Sequence, residues 1–501
     1  MGEVQFEEDD VTEEPTPDAL ETPEAEEQPI KQRKNGLYPD VSAELADNMQ
    51  SGWADTELHD LEPIAQAAHT ARRRAALSAR FPGERLVIPA GNLRTRSNDT
   101  EYRFRASTEY AYLTGDQTEN GVLVLEPAPG GDGHTATLYL LPRSNRENGE
   151  FWLDGSHGEL WVGRRHSLSE AERLLGLPAR DVRKLADELK AATGPVRIVR
   201  GHDAALEAAL TDKVTGERDE ELRVFLSEQR LVKDAFEIGQ LQAAVDSTVR
   251  GFEDVVKVLD KAEATSERYI EGTFFLRARV EGNDVGYGSI CASGPHATTL
   301  HWVRNDGPVR SGDLLLLDAG VETTTLYTAD VTRTLPVNGT FSPIQRTIYE
   351  AVYEAQEAGI AAVKPGAKYR DFHDAAQRVL ATKLVEWGLV EGPVERVLEL
   401  GLQRRWTLHG TGHMLGLDVH DCAVARTETY VEGTLEPGMC LTVEPGLYFQ
   451  ADDLTVPEEY RGIGVRIEDD ILVTEDGNRN LSAGLPRTAD DVEAWMARLT
   501  A

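Results

Sequence analysis

Residues 313–320 read DLLLLDAG and residues 439–448 read MCLTVEPGLY. In the first stretch, four leucines run straight into Asp318. Leucine at consecutive positions predicts a strand buried on both faces, where an ionised carboxylate is costly unless paired or bound to a metal. Taken alone, an aspartate at a strand end is as readily a cap or turn residue. In the second stretch, alternation sets Leu441 and Val443 on one face and Thr442 with Glu444 on the other. Pro445-Gly446 then ends the strand at once and leaves Glu444 at a rim, where functional groups concentrate.

Working outward, TADVTRT (328–334) places Asp330 and Thr332 on one face of a short strand. GVRIED (464–469) sets Arg466 and Glu468 opposite Val465 and Ile467. Singly, each of these faces reads as well as a solvated sheet surface. Between them lies LHGTGHMLGLDVHD (408–421), with His409, His413 and His420. Its glycines at 410, 412 and 416 argue against a helix, and so against the helical HExxH zinc motif. A lone histidine often just satisfies a core hydrogen bond, but three in one Gly-rich loop are harder to dismiss. His301, in ATTLHWVRND (297–306), is a fourth candidate.

Together Asp318, Asp330, Glu444 and Glu468 supply four negative charges, which two divalent cations would neutralise. His413 added to carboxylates makes a hard, oxygen-rich set that suits Mn²⁺ and leaves Co²⁺, Zn²⁺ or Fe²⁺ open. Two metals about 3.5–4 Å apart can hold a bridging hydroxide and polarise a carbonyl. The expected reaction class is metal-assisted hydrolysis.

The whole chain has 501 residues, with 52 Lys+Arg against 87 Asp+Glu and a formal net charge of −35. A nucleic-acid partner is disfavoured, since phosphate binding needs a basic surface, and so is an anionic membrane leaflet. No apolar run approaches the ~20 residues that span a bilayer. Cys291, Cys422 and Cys440 are odd in number, far apart and without a CxxC pair. That pattern fits a reducing cytosol and no structural zinc knuckle. The opening MGEVQFEEDD has no signal-peptide pattern, and Phe6 argues against myristoylation at Gly2, so a cytoplasmic protein is expected.

Residues 1–30 hold twelve acidic residues, no Lys or Arg, and prolines at 15, 17, 23 and 29. Such a segment cannot bury enough apolar surface to offset its ordering entropy, so residues 1–58 are read as an acidic, largely disordered tail. Short apolar runs (ERLVIPAG, GVLVLEP, HTATLYLLP, PVRIVRG) then alternate with helical patterns around 168–176 and 181–192. They predict an α/β domain over 59–220. Residues 221–259 carry one sustained helical periodicity and bridge into a second, α+β domain over 221–495. Helices are expected there at 343–362 and 370–388, the second with a stripe of Phe372, Ala375, Ala376, Val379 and Leu380.

These elements in this order, DAG…TADVTRT, HGTGHMLGLDVHD, VEPGLY and GVRIEDDILV, resemble the pita-bread metallopeptidases and, among them, aminopeptidase P. The likeness is densest over 285–485 and extends to SNDTEYRFRASTEYAYLTG (97–115) and ELWVGRRHSL (159–168). It implies a pita-bread catalytic domain that releases the residue before a penultimate proline through attack by a dimetal-bridging hydroxide. By that resemblance Asp318, Asp330, His413, Glu444 and Glu468 are the metal ligands, with Asp330 and Glu468 bridging. Glu444 also takes the proton of the attacking water and passes it to the leaving nitrogen. His301 and His420 match residues that stabilise the tetrahedral intermediate and hold substrate, and His409 matches a further pocket histidine. Arg466 and Tyr448 match supporting residues, and the relatives' habit implies a homodimer or homotetramer. One departure is visible: Asp318 and Asp330 stand one residue further apart than is usual in the family. The extra residue falls in VETTTLYTA (321–329), read as a hairpin turn where an insertion costs little.

Prolidase, which cleaves Xaa-Pro dipeptides, shares the fold and ligands. The short interval from Glu444 to Glu468 sides with aminopeptidase P over the eukaryotic prolidases, while bacterial prolidases are closer rivals. Methionine aminopeptidase lacks so large an N-terminal domain, and creatinase-like enzymes lack the ligands. A non-catalytic binding relative would explain the acidic tail better but not the complete ligand set.

Overall fold

Four of the short apolar runs become strands of one five-stranded sheet: β1 (Arg85–Pro89), β2 (Val122–Pro127), β3 (His134–Leu140) and, after β4 (Ala179–Asp181), β5 (Val196–Ile198). The structure, a computed structural model, describes residues 41–130, 133–147 and 149–501. Of the stretch read as a largely disordered tail over 1–58, residues 1–40 lie outside them, while Ala43–Gln50 within the rest is helical. The sheet order is β4-β3-β2-β1-β5, antiparallel through the middle three and parallel at both outer pairs. Leu86, Ile88, Leu123 and Leu125 from one face join one core, while Val87, Val122, Val124 and Ile198 from the other join a second. Each such side chain contributes about 1.5–3 kcal/mol on burial.

Residues 41–55 and 145–162 form a separate small unit. It contains a helix, Ala43–Gln50, whose first turn is capped by Ser42, and Trp53 meets Phe151 edge-on at 4.9 Å.

Between β3 and β5 runs α1 (Leu168–Leu175), opened by a capping box: Ser167 Oγ accepts from Glu170 N and Glu170 returns to Ser167 N, each at 3.1 Å. The buried Glu170 carboxylate also accepts from Leu58 N at 2.7 Å and from Arg164. Burial alone would raise its pKa, but these donors outweigh it and hold the group at about 2, down from 4.5. Their stabilisation is therefore complete above pH 4.5 and is lost as pH falls toward 2. Glu170→Gln is expected to lower stability by about 1–3 kcal/mol at pH 7, read from urea midpoints. The gap to the parent protein should shrink between pH 4.5 and 2; a gap constant with pH would refute the assignment.

The periodic stretch 221–259 is not one helix. It is broken into α2 (Gly216–Gln229) and α3 (Ala235–Val256). Asp234 caps α3 in a second capping box with Glu237, and Lys233 N bonds to Gly438 O at 2.9 Å, which pulls the chain out of helical register. The break buries Arg230 and Lys233 against Asp421 at 3.0 and 3.5 Å, and Arg230 also reaches Glu109 at 3.4 Å.

Beyond α4 (Glu267–Glu281), β6 (Ile290–Ser293), β7 (Leu314–Ala319) and β8 (Val331–Pro336) form an antiparallel sheet in the order β8-β7-β6. The Asp318–Asp330 interval does fold back on itself: Glu322 bridges Thr328 and the turn is closed by Thr323 N to Tyr327 O at 2.8 Å. The helices α5 (Pro343–Ala362) and α6 (Arg370–Glu386) follow, with Phe372, Ala376 and Leu380 buried and Gly388 at positive φ just past the end. Five longer strands follow: β9 (Cys440–Val443), β10 (Gly446–Phe449), β11 (Ile463–Arg466), β12 (Asp469–Thr474) and β13 (Gly477–Asn480). They pair antiparallel as β9-β12-β13 and β10-β11, and a Thr332–Glu468 bridge links them to β8. Glu444 and Glu468 both fall in the gaps between strands, where side chains can converge.

Candidate active site

Register brings the carboxylates together. Asp318 on β7 stands opposite Thr332 on β8, so Asp330, two residues back along the same face, arrives beside it. Tyr287 OH lies 2.6 Å from Asp318 Oδ1 and 2.5 Å from Asp330 Oδ1, its one proton shared between them. Thr332 Oγ1 donates to Glu468 Oε2 at 2.6 Å, and Thr442 Oγ1 to Glu444 Oε1 at 3.2 Å.

The histidine loop is non-helical, as its glycines predict, and runs along β9. Thr442 N donates to His413 O at 2.9 Å, Glu444 N to Thr411 O at 2.8 Å, and Met414 bridges Leu441. A Cβ at Gly412 would stand 2.0 Å from Thr442 O, so only glycine allows this approach. The loop thereby holds His413 Nε2 3.3 Å from Asp330 Oδ2 and 3.5 Å from Glu444 Oε1. Asp330, His413 and Glu468 each present a ligand atom, all within 4.8 Å of one another.

Of the ten candidate residues, nine line one cavity of about 610 Å³: Asp318, Asp330, His413, Glu444 and Glu468 with His301, His409, His420 and Arg466. The tenth, Tyr448, stands behind its wall. Arg466 Nη1 donates to Tyr448 OH at 2.9 Å, and that hydroxyl donates to His409 Nε2 at 2.8 Å. His409 Nδ1 must then carry the proton it gives to Gly410 O at 2.7 Å. The remaining Arg466 donors go to Asp318 Oδ2 and, at 3.2 Å, to Thr332 Oγ1. Sequence alternation put Arg466 beside Glu468, whereas its guanidinium bonds to Asp318. The polar faces of Thr442, Arg466 and Glu468 are buried, which removes the solvated-surface alternative.

The charge balance shows what the site is suited to hold. Burial raises the carboxyl pKa of Asp318 and Glu468, with Asp330 adding like charge to both. Burial likewise lifts Glu444 to about 7, where Asp330 opposes and His413 favours its ionisation. Burial would lower His413, yet Asp330 and Glu444 overcome it and raise the imidazole to about 9. His409 is driven down to about 3 by burial and by Arg466. Four carboxyl groups thus crowd one cavity in which, among the described residues, only Arg466 and His413 serve as cationic partners, an arrangement that fits divalent cations.

Two participants escaped the sequence reading. Tyr287, between glycines in GYGS (286–289), carries no pattern that marks it. Asp470, one of the DD pair in GVRIEDDILV, accepts from Asp330 N at 3.2 Å and fixes the backbone of that carboxylate. A second acidic residue in an otherwise apolar strand was the available signal.

Residues 239–475 match the metallopeptidase family M24, and residues 70–198 match the aminopeptidase P N-terminal domain. The chain is 85% identical over 479 residues to Xaa-Pro aminopeptidase 1 of Streptomyces coelicolor, covering 96% of this chain and 97% of that one. It is 70% identical over 467 residues to Xaa-Pro aminopeptidase 2 of the same organism, covering 93% and 98%. Among solved structures, aminopeptidase P from E. coli with the inhibitor Pro-Leu superposes with a TM-score of 0.78 at 32% identity, over 87% of this chain and 99% of that chain.

Proposed function

Because the chain belongs to metallopeptidase family M24 and carries the aminopeptidase P N-terminal domain, we propose that the carboxylate–histidine cavity is its peptide-bond-cleaving centre. The protein is a metal-dependent Xaa-Pro aminopeptidase, removing the first residue of peptides whose second is proline. The observation that carries the assignment of the centre is the convergence of Asp318, Asp330, His413, Glu444 and Glu468 on one buried cavity. These five would hold two divalent cations. When bound, the cations polarise the scissile carbonyl and make water a nucleophile near neutral pH.

The chain's own groups then do the rest. Glu444 accepts the proton of the attacking water and delivers it to the prolyl nitrogen, which has no N–H of its own to begin with. His301 and His420, on opposite loops of the cavity, donate to the developing oxyanion and hold the peptide. His409, both of its ring nitrogens engaged by Gly410 and Tyr448, gives the pocket a fixed imidazole wall for substrate to pack against. Arg466 locks Asp318, Thr332 and Tyr448 in one hydrogen-bonded frame.

The oxygen-rich donor set favours Mn²⁺, with Co²⁺, Zn²⁺ and Fe²⁺ as the competing cations. The domain boundaries at 58 and 220, the homo-oligomeric state and a cytoplasmic location belong to the same reading. No helix among the described residues is long and apolar enough to cross a membrane. The deciding experiment is hydrolysis of an Xaa-Pro-Yaa tripeptide beside the matching Xaa-Pro dipeptide, after chelation and then after each metal is restored. Release of Xaa from the tripeptide should vanish with chelator and return best with Mn²⁺. Cleavage confined to the dipeptide would instead mark a prolidase. Unchanged turnover in chelator would overturn the metal reading.

A further inference from the structure

The loop 294–307 carries Leu300, His301 and Val303 to the cavity, yet among the described residues the His301 imidazole has no hydrogen-bond partner. Something else must hold it in place. Glu267, the first residue of α4, is fully buried, and no Lys or Arg pairs with it among the described residues. Its two carboxylate oxygens are filled by four donors. Oε1 accepts from Ser293 N and His296 Nδ1, both at 2.8 Å; Oε2 accepts from Trp302 Nε1 at 2.9 Å and Gly307 N at 2.8 Å. A carboxylate can only accept, so His296 carries its proton on Nδ1.

The four donors bracket His301 from both sides. Ser293 and His296 precede it, Trp302 is its next neighbour, and Gly307 closes the loop. The Trp302 ring is stacked on His296 at 3.9 Å and 19°, with Arg304 5.1 Å from its other side. Asn305 pins the same loop to β6 by accepting from Cys291 N at 2.9 Å and donating to Ser289 O at 2.8 Å. A Cβ at Gly307 would stand 2.2 Å from His296 Cε1 and 3.0 Å from Glu267 Oε2, so the cradle is closed to any side chain there.

We propose that Glu267, through His296 and Trp302, is the positioning residue that aims His301 at the substrate carbonyl. The inference rests on the role given to His301 above. A glutamine at 267 would offer one oxygen to four donors and set its amide N–H groups against two of them. An imidazole displaced by about 1 Å can cost as much as 10²-fold in rate.

The test is a double-mutant cycle on the full-length, metal-loaded enzyme, with an Xaa-Pro-Yaa tripeptide as substrate. His301→Ala should lower kcat/KM by about 10²-fold. Glu267→Gln should lower it about tenfold with bound metal unchanged, and trypsin should cut faster after Arg304. Combined, the two should cost no more than His301→Ala alone, because Glu267 acts only through that side chain. Multiplying losses would overturn the positioning role while leaving His301 in place. An active His301→Ala enzyme would remove the role of His301 and this inference with it. Should Glu267→Gln fail to fold, His296→Ala takes its place in the cycle, since that side chain is 31% exposed and leaves three of the four donors.

Discussion

Asp330→Asn is expected to leave a folded protein that binds less metal and turns over about 10³-fold more slowly, equivalent to ~4 kcal/mol of transition-state stabilisation. Asp330 is engaged on both oxygens and at its backbone: Tyr287 on one oxygen, His413 Nε2 on the other, and Asp470 through its N–H. Asparagine keeps the shape and loses the charge, so the change isolates electrostatics from packing. Elemental analysis should show about one metal lost per chain, and a circular dichroism melt should show little change. Full metal content with activity within tenfold of the parent would sink the assignment of Asp330 as a ligand.

Glu444→Gln should separate binding from chemistry. The amide cannot take up a proton, so kcat is expected to fall about 10³-fold, within the usual range for a lost general base, while KM moves by no more than a few-fold. Glu444 is tied down at both ends, by its own N–H to Thr411 O and by Thr442 Oγ1 at its carboxylate, so the glutamine has no reason to move. Excess Mn²⁺ is the discriminating control. Recovery of kcat at high metal would mean that Glu444 serves only as a ligand, whereas the proton-transfer role predicts no recovery.

Most of this centre could be read in the sequence because buried strands leave polar residues nowhere to hide. LLLLDAG becomes a strand buried at every position, and the carboxylate in it is the anomaly that points to the site. Glu444 and Glu468 were legible for a related reason, each standing on the polar face of an alternation next to a strand end. Tyr287 was not, since a tyrosine between glycines is equally at home in any turn, and only the fold brings its hydroxyl to two aspartates. Periodicity over 221–259 marks helix correctly and is silent on the break within it. Both halves are helical, so the apolar repeat runs on across the break. What ends α2 and starts α3 is a capping box and a backbone bond to Gly438, neither of which alters hydrophobic spacing. Arg466 shows the limit of face-sharing arguments: a long side chain on the right face still chose Asp318, which lies on a different strand.

The break between α2 and α3 has a consequence for how the molecule comes apart. Arg230 joins Glu109 of the N-terminal domain to Asp421, the neighbour of His420, and Lys233 shares that aspartate with it. Separating the two domains would break the Glu109–Arg230 pair, and with it the Arg105–Glu322 pair at 2.7 Å and the Thr108 Oγ1 to Asp418 Oδ1 bond at 2.6 Å, while Arg230 and Lys233 would keep Asp421. The connection is therefore a weld rather than a hinge. The domains rise and fall as one cooperative unit, and damage to the front of the chain is felt at the catalytic loop without any residue there having changed.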